Sequence, residues 1–298
     1  MPEVSRELFQ GVPFQQANFL DTPQEQHSLQ EARVVLVPVP YDSTTSYQAG
    51  ARDAPSAIIE ASRHIEDFDL ELLRDISEAG IYTMPSVEPY LGSPEGMVDR
   101  VSCVVGPLAR LRKIPVVLGG DHSVSVGSVK ALREVYQDLS VLFLDAHGDL
   151  RYEYMGTPWG HASTARRISE ICPVVEVGVR SLSQDEYTFI QEQKLPVFFR
   201  DDLGSLDDSL PSIVSSLSSH VYVSVDLDVL DPSIMPAVGT PEPGGLSWQE
   251  LLHILRRVGQ DRTIVGFDIM ELSPRQGQEA SVYTAAKLVY KLIGYATS

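Results

Sequence analysis

Three short stretches of this sequence set acidic and imidazole side chains directly after apolar runs. In VLFLDAHGD, Asp145, His147 and Asp149 recur at every second residue, and in VYVSVDLDVLDP, Asp226 and Asp228 repeat that spacing before the turn at Asp231. A third, VVLGGDHS, delivers Asp121 and His122 behind two glycines that let the backbone turn sharply. If strand geometry persists to these ends, alternate residues point to one face. Carboxylates gathered so closely repel one another unless something positive sits among them. Imidazole with carboxylate is a mixed nitrogen and oxygen ligand set, and one carboxylate can bridge two ions. His122, Asp145, His147, Asp149, Asp226 and Asp228 therefore suit a binuclear metal site with its ions about 3.5 to 4 Å apart. Any one of these aspartates alone would read as a helix cap or turn former. The joint pattern on separate runs carries the metal reading, whereas Asp121, Asp231, His27, His64, His220 and His253 lack such partners and read as structural.

Residues of this kind need a scaffold that brings strand ends together. Apolar, β-branched runs recur at 34–40, 115–118, 141–144, 174–179, 196–199, 221–225 and 264–269, and they read as parallel strands buried on both faces. Helical spacing predicts helices over 54–62, 97–111, 124–135, 249–258 and 280–293. The alternation signals an α/β fold. No Ser/Gly or Pro-rich linker interrupts the chain, and only 212–220 is mildly low in complexity. Residues 1–298 thus read as one domain, with 1–30 as an N-terminal extension packing on it. In open parallel sheets ligands bind beyond the carboxyl ends of the strands, where loops and helix N-termini converge.

The 298 residues carry 41 acidic side chains against 23 basic ones, a formal charge of -18. Such a surface repels phosphate backbones and anionic lipid heads and attracts small cations, which argues against nucleic-acid or membrane partners. A hydrophobic content of 43% is incompatible with disorder. Cys103 and Cys172 lie far apart in apolar surroundings, as free thiols packed like small hydrophobes. The N-terminus lacks a basic segment followed by an apolar one, and no run approaches ~20 apolar residues. The expectation is a soluble, cytoplasmic protein.

With these residues in hand, the sequence resembles the ureohydrolase family, which includes arginase, agmatinase and related hydrolases of guanidino groups. The resemblance rests on GGDHS at 119–123, DAHGD at 145–149 and SVDLDVLDPSIMPAVGTPEPGG at 224–245. YDSTTSYQAGARDAPSAIIEAS near the N-terminus and DIMELSP at 268–274 extend it over nearly the whole chain. Ala237 departs from the glycine common at that point in relatives, a change that adjusts a loop without touching a ligand. The resemblance implies a single three-layer α/β/α domain around a mostly parallel central sheet. It also implies two Mn2+ per subunit, with Ni, Co or Zn as alternatives, and a homo-oligomer, trimeric or hexameric.

It further implies that His122, Asp145, Asp149 and Asp226 hold one ion. His147, Asp145, Asp226 and Asp228 would hold the other, so that Asp145 and Asp226 bridge. Asp149 matches the family carboxylate that carries a proton to the departing nitrogen, His161 in GTPWGHAS the histidine that shuttles protons, and Glu271 the glutamate that pairs with the substrate guanidinium. The family's arginine-hydrolysing members read the substrate's α-carboxylate and α-amine with an Asn and Ser-rich loop after DAHxD. Here LRYEYMGTPWGHAS has no Asn and no Ser before His161, while Glu153 and Glu242 offer negative charge. These features favour a small guanidino substrate with a cationic far end: agmatine, cleaved to putrescine and urea, or a longer aminopropyl derivative. Arg151 could instead face a carboxylate, as in arginine or a guanidino acid, or simply pair with a neighbouring acid. Two readings from other classes are a two-metal phosphoesterase and a noncatalytic metal-binding protein. The first would need more basic groups than Arg151 near the motifs, and the second is separated by turnover of Mn-loaded protein.

Overall fold

The computed structural model describes residues 17–22 and 28–298. Eight strands form one sheet in the order β4-β1-β5-β10-β9-β6-β7-β8. They are β1 (Val34–Pro38), β4 (Ile81–Thr83), β5 (Ile114–Leu118), β6 (Leu139–Leu144), β7 (Val174–Val177), β8 (Val197–Phe198), β9 (His220–Asp226) and β10 (Thr263–Met270). Every pairing in that sheet is parallel. A separate antiparallel ribbon joins β2 (Phe68–Asp69) to β3 (Arg74–Asp75).

The apolar runs become strands because both faces are covered. β1, β5 and β6 are buried at every position, and their side chains alternate between two cores. Val34 and Leu36 pack on one face with helices α1 (Ala54–Ser62), α6 (Leu206–Ser215), α7 (Trp248–Asp261) and α8 (Glu279–Ala296). Val35 and Val37 pack on the other with α2 (Pro94–Arg110), α3 (Ser125–Arg133), α4 (Thr164–Ser169) and α5 (Gln184–Gln193). The result is the three-layer α/β/α architecture expected.

Several boundaries differ from expectation for local reasons. Helix α2 starts at Pro94, not at the first apolar residue Met97, because the Ser93 side chain accepts the Gly96 N–H at 3.1 Å and proline fits the first turn. Strand β4 and helices α4, α5 and α6 were not expected. Of the extension assigned to 1–30, residues 1–16 and 23–27 lie outside the described residues, His27 among them. The described part packs by Phe19, whose N–H donates to Thr83 Oγ1 at 3.1 Å. Among the described residues no helix is long and apolar enough to cross a membrane.

Candidate functional site

The four central strands carry the motifs to one edge. β5, β10, β9 and β6 are neighbours, and their carboxyl ends lead into His122, Glu271, Asp226 and Asp145 respectively. Leu144 pairs with Val225, so the residues that follow, Asp145 and Asp226, are adjacent; Met270 pairs with Asp226, so Glu271 emerges at the same edge. The glycines of GGDHS are required by close approach: a Cβ on Gly120 would collide with the carbonyl oxygen of Tyr41. Asp121 N–H donates to that same oxygen at 2.7 Å, tying the loop after β1 to the loop after β5. Asp149 (φ 47°) and Glu271 (φ 64°) both adopt the left-handed conformation that is costly for residues other than glycine.

Two groups of ligand atoms result. His122, Asp145 and Asp226 form one, and Asp145, His147 and Asp228 the other, each with its ligand atoms within 4.8 Å of one another. His122 Nδ1 lies 3.1 Å from Asp145 Oδ2, 3.2 Å from Asp226 Oδ2 and 3.7 Å from Asp149 Oδ2. His147 Nδ1 lies 2.9 Å from Asp228 Oδ2 and 3.6 Å from Asp145 Oδ1. Asp145 thus turns one oxygen to each histidine. Asp226 gives Oδ2 to the first group only, while its Oδ1 accepts the Asp228 N–H at 2.9 Å.

The donor chemistry fits divalent cations. Ser224 Oγ donates to Asp268 Oδ1 at 2.8 Å and is left to accept His122 Nε2–H, also at 2.8 Å, so Nδ1 presents a lone pair to the carboxylates. Phe143 stacks on the His122 ring at 4.4 Å and fixes its plane. His122 Nδ1 and Asp145 Oδ2 are buried with no hydrogen-bond partner among the described residues. The titration behaviour has the same cause. Burial alone would lower both histidines, yet the nearby aspartates hold His122 well above its ordinary value and lift His147 to about 12. Burial, reinforced by neighbouring carboxylates, pushes Asp226 and Asp149 well up. The cluster is short of positive charge, and protons stand where cations would.

The cluster opens into a cleft of about 280 Å³, at the lower end for small-molecule sites. Glu271 lines it and is pushed up to about 8 by burial and by Asp121; its Oε1 accepts the His122 N–H at 2.7 Å. His161 also lines the cleft, with Tyr154 edge-on to its ring at 5.9 Å, and burial lowers its pKa. Glu153 and Glu242, expected at the substrate's far end, do not line it. Tyr154 and Thr157 exchange backbone hydrogen bonds at 2.9 and 3.1 Å, and this turn exposes Glu153 while Arg151 and Tyr154 line the cleft. Glu242 lies half-buried, its backbone oxygen accepting from Arg180 at 2.6 Å. The further carboxylate in the wall is Glu186, which sequence reasoning missed. Its signal was the Ser183–Glu186 capping box that opens α5. Arg151 sits with Nε 3.8 Å from Glu186 and its guanidinium 4.8 Å over the Tyr154 ring, paired with an acid of the chain itself.

The sequence model of the Arginase family matches residues 32–294. An N(1)-aminopropylagmatine ureohydrolase of Thermus thermophilus is 41% identical over 279 residues, 92% of each chain. An agmatinase of Pyrococcus horikoshii is 36% identical over 273 residues, 89% of this chain and 93% of that one. Among solved structures, the agmatine ureohydrolase of Thermoplasma volcanium superposes with a TM-score of 0.86 at 31% identity, covering 97% of both chains.

Proposed function

The chain belongs to the arginase family, and from that membership we propose that it hydrolyses the guanidino group of agmatine to putrescine and urea, acting as one domain over residues 1–298. The carrying observation is the pair of ligand groups sharing Asp145 at the floor of a cleft that Glu271 and His161 also line. His122, Asp145, Asp149 and Asp226 would hold one divalent cation, and His147, Asp145 and Asp228, with Asp226 alongside, the other; Mn2+ is the proposed metal. Bound there, the pair supplies the Lewis acidity that makes water nucleophilic near neutral pH. Glu271 binds the planar guanidinium and sets its carbon toward the cluster. Asp149 holds the proton of the attacking water and delivers it to the departing nitrogen, and His161 moves protons between the cleft and solvent.

Charge supports a cationic substrate. Two divalent cations would balance the four aspartates and, being close by, would draw Glu271 back to its carboxylate form, which leaves Glu271 and Glu186 against Arg151 in the wall. The balance is negative. A second reading, N1-aminopropylagmatine as substrate, is supported by the higher identity to the Thermus enzyme, 41% against 36% for the Pyrococcus agmatinase. Trimeric or hexameric assembly and a cytoplasmic location belong to the same proposal.

The test is urea release from a panel of guanidino compounds by metal-depleted protein reloaded with Mn, Ni, Co or Zn. Agmatine or its aminopropyl derivative should exceed arginine in kcat/KM by about 30 to 1000-fold, since a buried carboxylate mismatch costs roughly 2 to 4 kcal/mol. Comparable turnover of arginine, or preference for 4-guanidinobutanoate, would overturn the substrate assignment and make Arg151 the reader of a carboxylate. No urea from any compound would overturn the hydrolase itself.

A further inference from the structure

The segment after β1, YDSTTSYQAG, has no part in the chemistry described so far, yet it forms one wall of the cleft through Thr45, Ser46, Tyr47 and Gln48. It is held in place from below. Asp42 Oδ2 accepts the Gly50 N–H at 2.9 Å and the Arg52 N–H at 3.3 Å, and Gly50 turns at φ 130°. Thr44 N–H and Thr44 Oγ1 both reach Asp121 Oδ2, at 2.9 and 3.0 Å. The other oxygen of Asp121, which is wholly buried, accepts from Ser123 N–H and the Ser123 hydroxyl. Four donors converge on this carboxylate, so it can only accept.

A threonine hydroxyl has one proton and two lone pairs. Its proton is committed to Asp121. The lone pairs then face His161, whose backbone N–H lies 3.0 Å from Thr44 Oγ1 and whose ring Nδ1 lies 3.4 Å from it. Nδ1 must therefore carry hydrogen, and Nε2 keeps its lone pair, 3.3 Å from Ser46 Oγ on the cleft wall.

We propose that Thr44, backed by Asp121, is the positioning residue that fixes the ring and tautomer of His161 with Nε2 free to accept a proton from the cleft. This rests on His161 moving protons in the reaction. Asp121, read from sequence as structural, acquires a role through Thr44, and the reason for a hydroxyl residue in this loop becomes a hydrogen-bond inventory.

The test is a double-mutant cycle on the metal-loaded enzyme, followed by urea release from whichever guanidino compound it turns over best. Thr44→Val should lower kcat about 10 to 100-fold while KM and metal content stay as in the parent. Thr44→Ser, which keeps the hydroxyl, should recover most of that loss. In a His161→Asn background Thr44→Val should add nothing, because its effect runs through the histidine. Thr44→Ala is the second hydroxyl-free variant, guarding against misfolding of the first. The proposal is overturned if Thr44→Val costs as much in the His161→Asn background as in the parent. It is equally overturned if Thr44→Ser is as damaging as Thr44→Val, or if both hydroxyl-free variants lose metal with activity. Full activity of His161→Asn alone would instead remove the proton role of His161, and this positioning role with it.

Discussion

Asp145 is the one residue, among those described, with an oxygen turned to each ligand group: Oδ2 toward His122 and Oδ1 toward His147. Its replacement removes a donor from both groups and leaves two histidines facing fewer carboxylates. Asp145→Ala should therefore release both metals and abolish activity. Asp228→Ala, which touches the second group only, should leave about one metal per chain with residual turnover. Elemental analysis decides it, and two retained metals in Asp145→Ala with near-normal turnover would sink the binuclear assignment. For His161→Phe, kcat should fall by about 10 to 10⁴-fold with metal content unchanged; loss of metal in parallel would move this residue into the ligand set. At this scale the period of the strand made the metal cluster legible, since alternate residues must share a face. Loops have no such period. Charge alone points to Glu153 and Glu242, whereas the turn at Tyr154–Thr157 leaves Glu153 in solvent and Glu186 arrives from the start of a helix.

Elements legible in the sequence were those that bury one continuous surface. Sequence and structure agree to within about two residues for β1, β5, β6, β9 and β10, because runs covered on both faces are dominated by β-branched and other apolar residues, with the few polar ones, such as Ser224 and Asp268, buried among them. The missed helices bury little. Within α5 (QDEYTFIQEQ) only Glu186 and Ile190 are buried, α4 has six residues, and α6 carries Pro211 among its serines. β4 has three residues at the sheet edge and takes its register from β1. Where two elements meet backbone to backbone the fold leaves no freedom, and Gly120 shows it, with no room for a Cβ beside Tyr41. Gly120→Ala should force apart the loops after β1 and β5, costing about 1–3 kcal/mol or more, and should weaken metal retention because His122 follows two residues later. A variant with parental thermal midpoint and metal content would show that the two loops yield more readily than the contact suggests.

At the scale of the whole molecule, the acidic excess has to be reconciled with a stable fold, and one buried ion-pair network shows how. Lys291 of α8 places Nζ 2.9 Å from Asp69 Oδ2 and 2.6 Å from Glu71 Oε2, joining the C-terminal helix to the β2–β3 ribbon. Asp69 and Lys291 are both buried, so neither charge could stay there alone. For each acid, burial works to raise the pKa, but the lysine hydrogen bond and charge, joined by the Leu72 and Glu71 N–H groups at Asp69 and by Tyr295 and Arg256 at Glu71, outweigh it and leave both below their ordinary values. A carboxyl with a depressed folded-state pKa binds its proton more readily when unfolded, so its stabilisation is complete above the unfolded value, roughly 4, and is lost as pH falls through the folded value. Stability should therefore decline below about pH 5, and the part of that decline due to this network should vanish in Lys291→Met. The same substitution leaves Asp69 buried beside an apolar side chain, so at pH 7 it should cost about 3–5 kcal/mol, while a paired Asp69→Asn, Lys291→Met variant should recover part of it. Urea denaturation of the metal-loaded protein at several pH values measures both effects. An unchanged midpoint for Lys291→Met at pH 7, or a pH dependence identical to the parent's, would show that the ribbon and the helix are held by their apolar contacts and that the ion pairs are incidental.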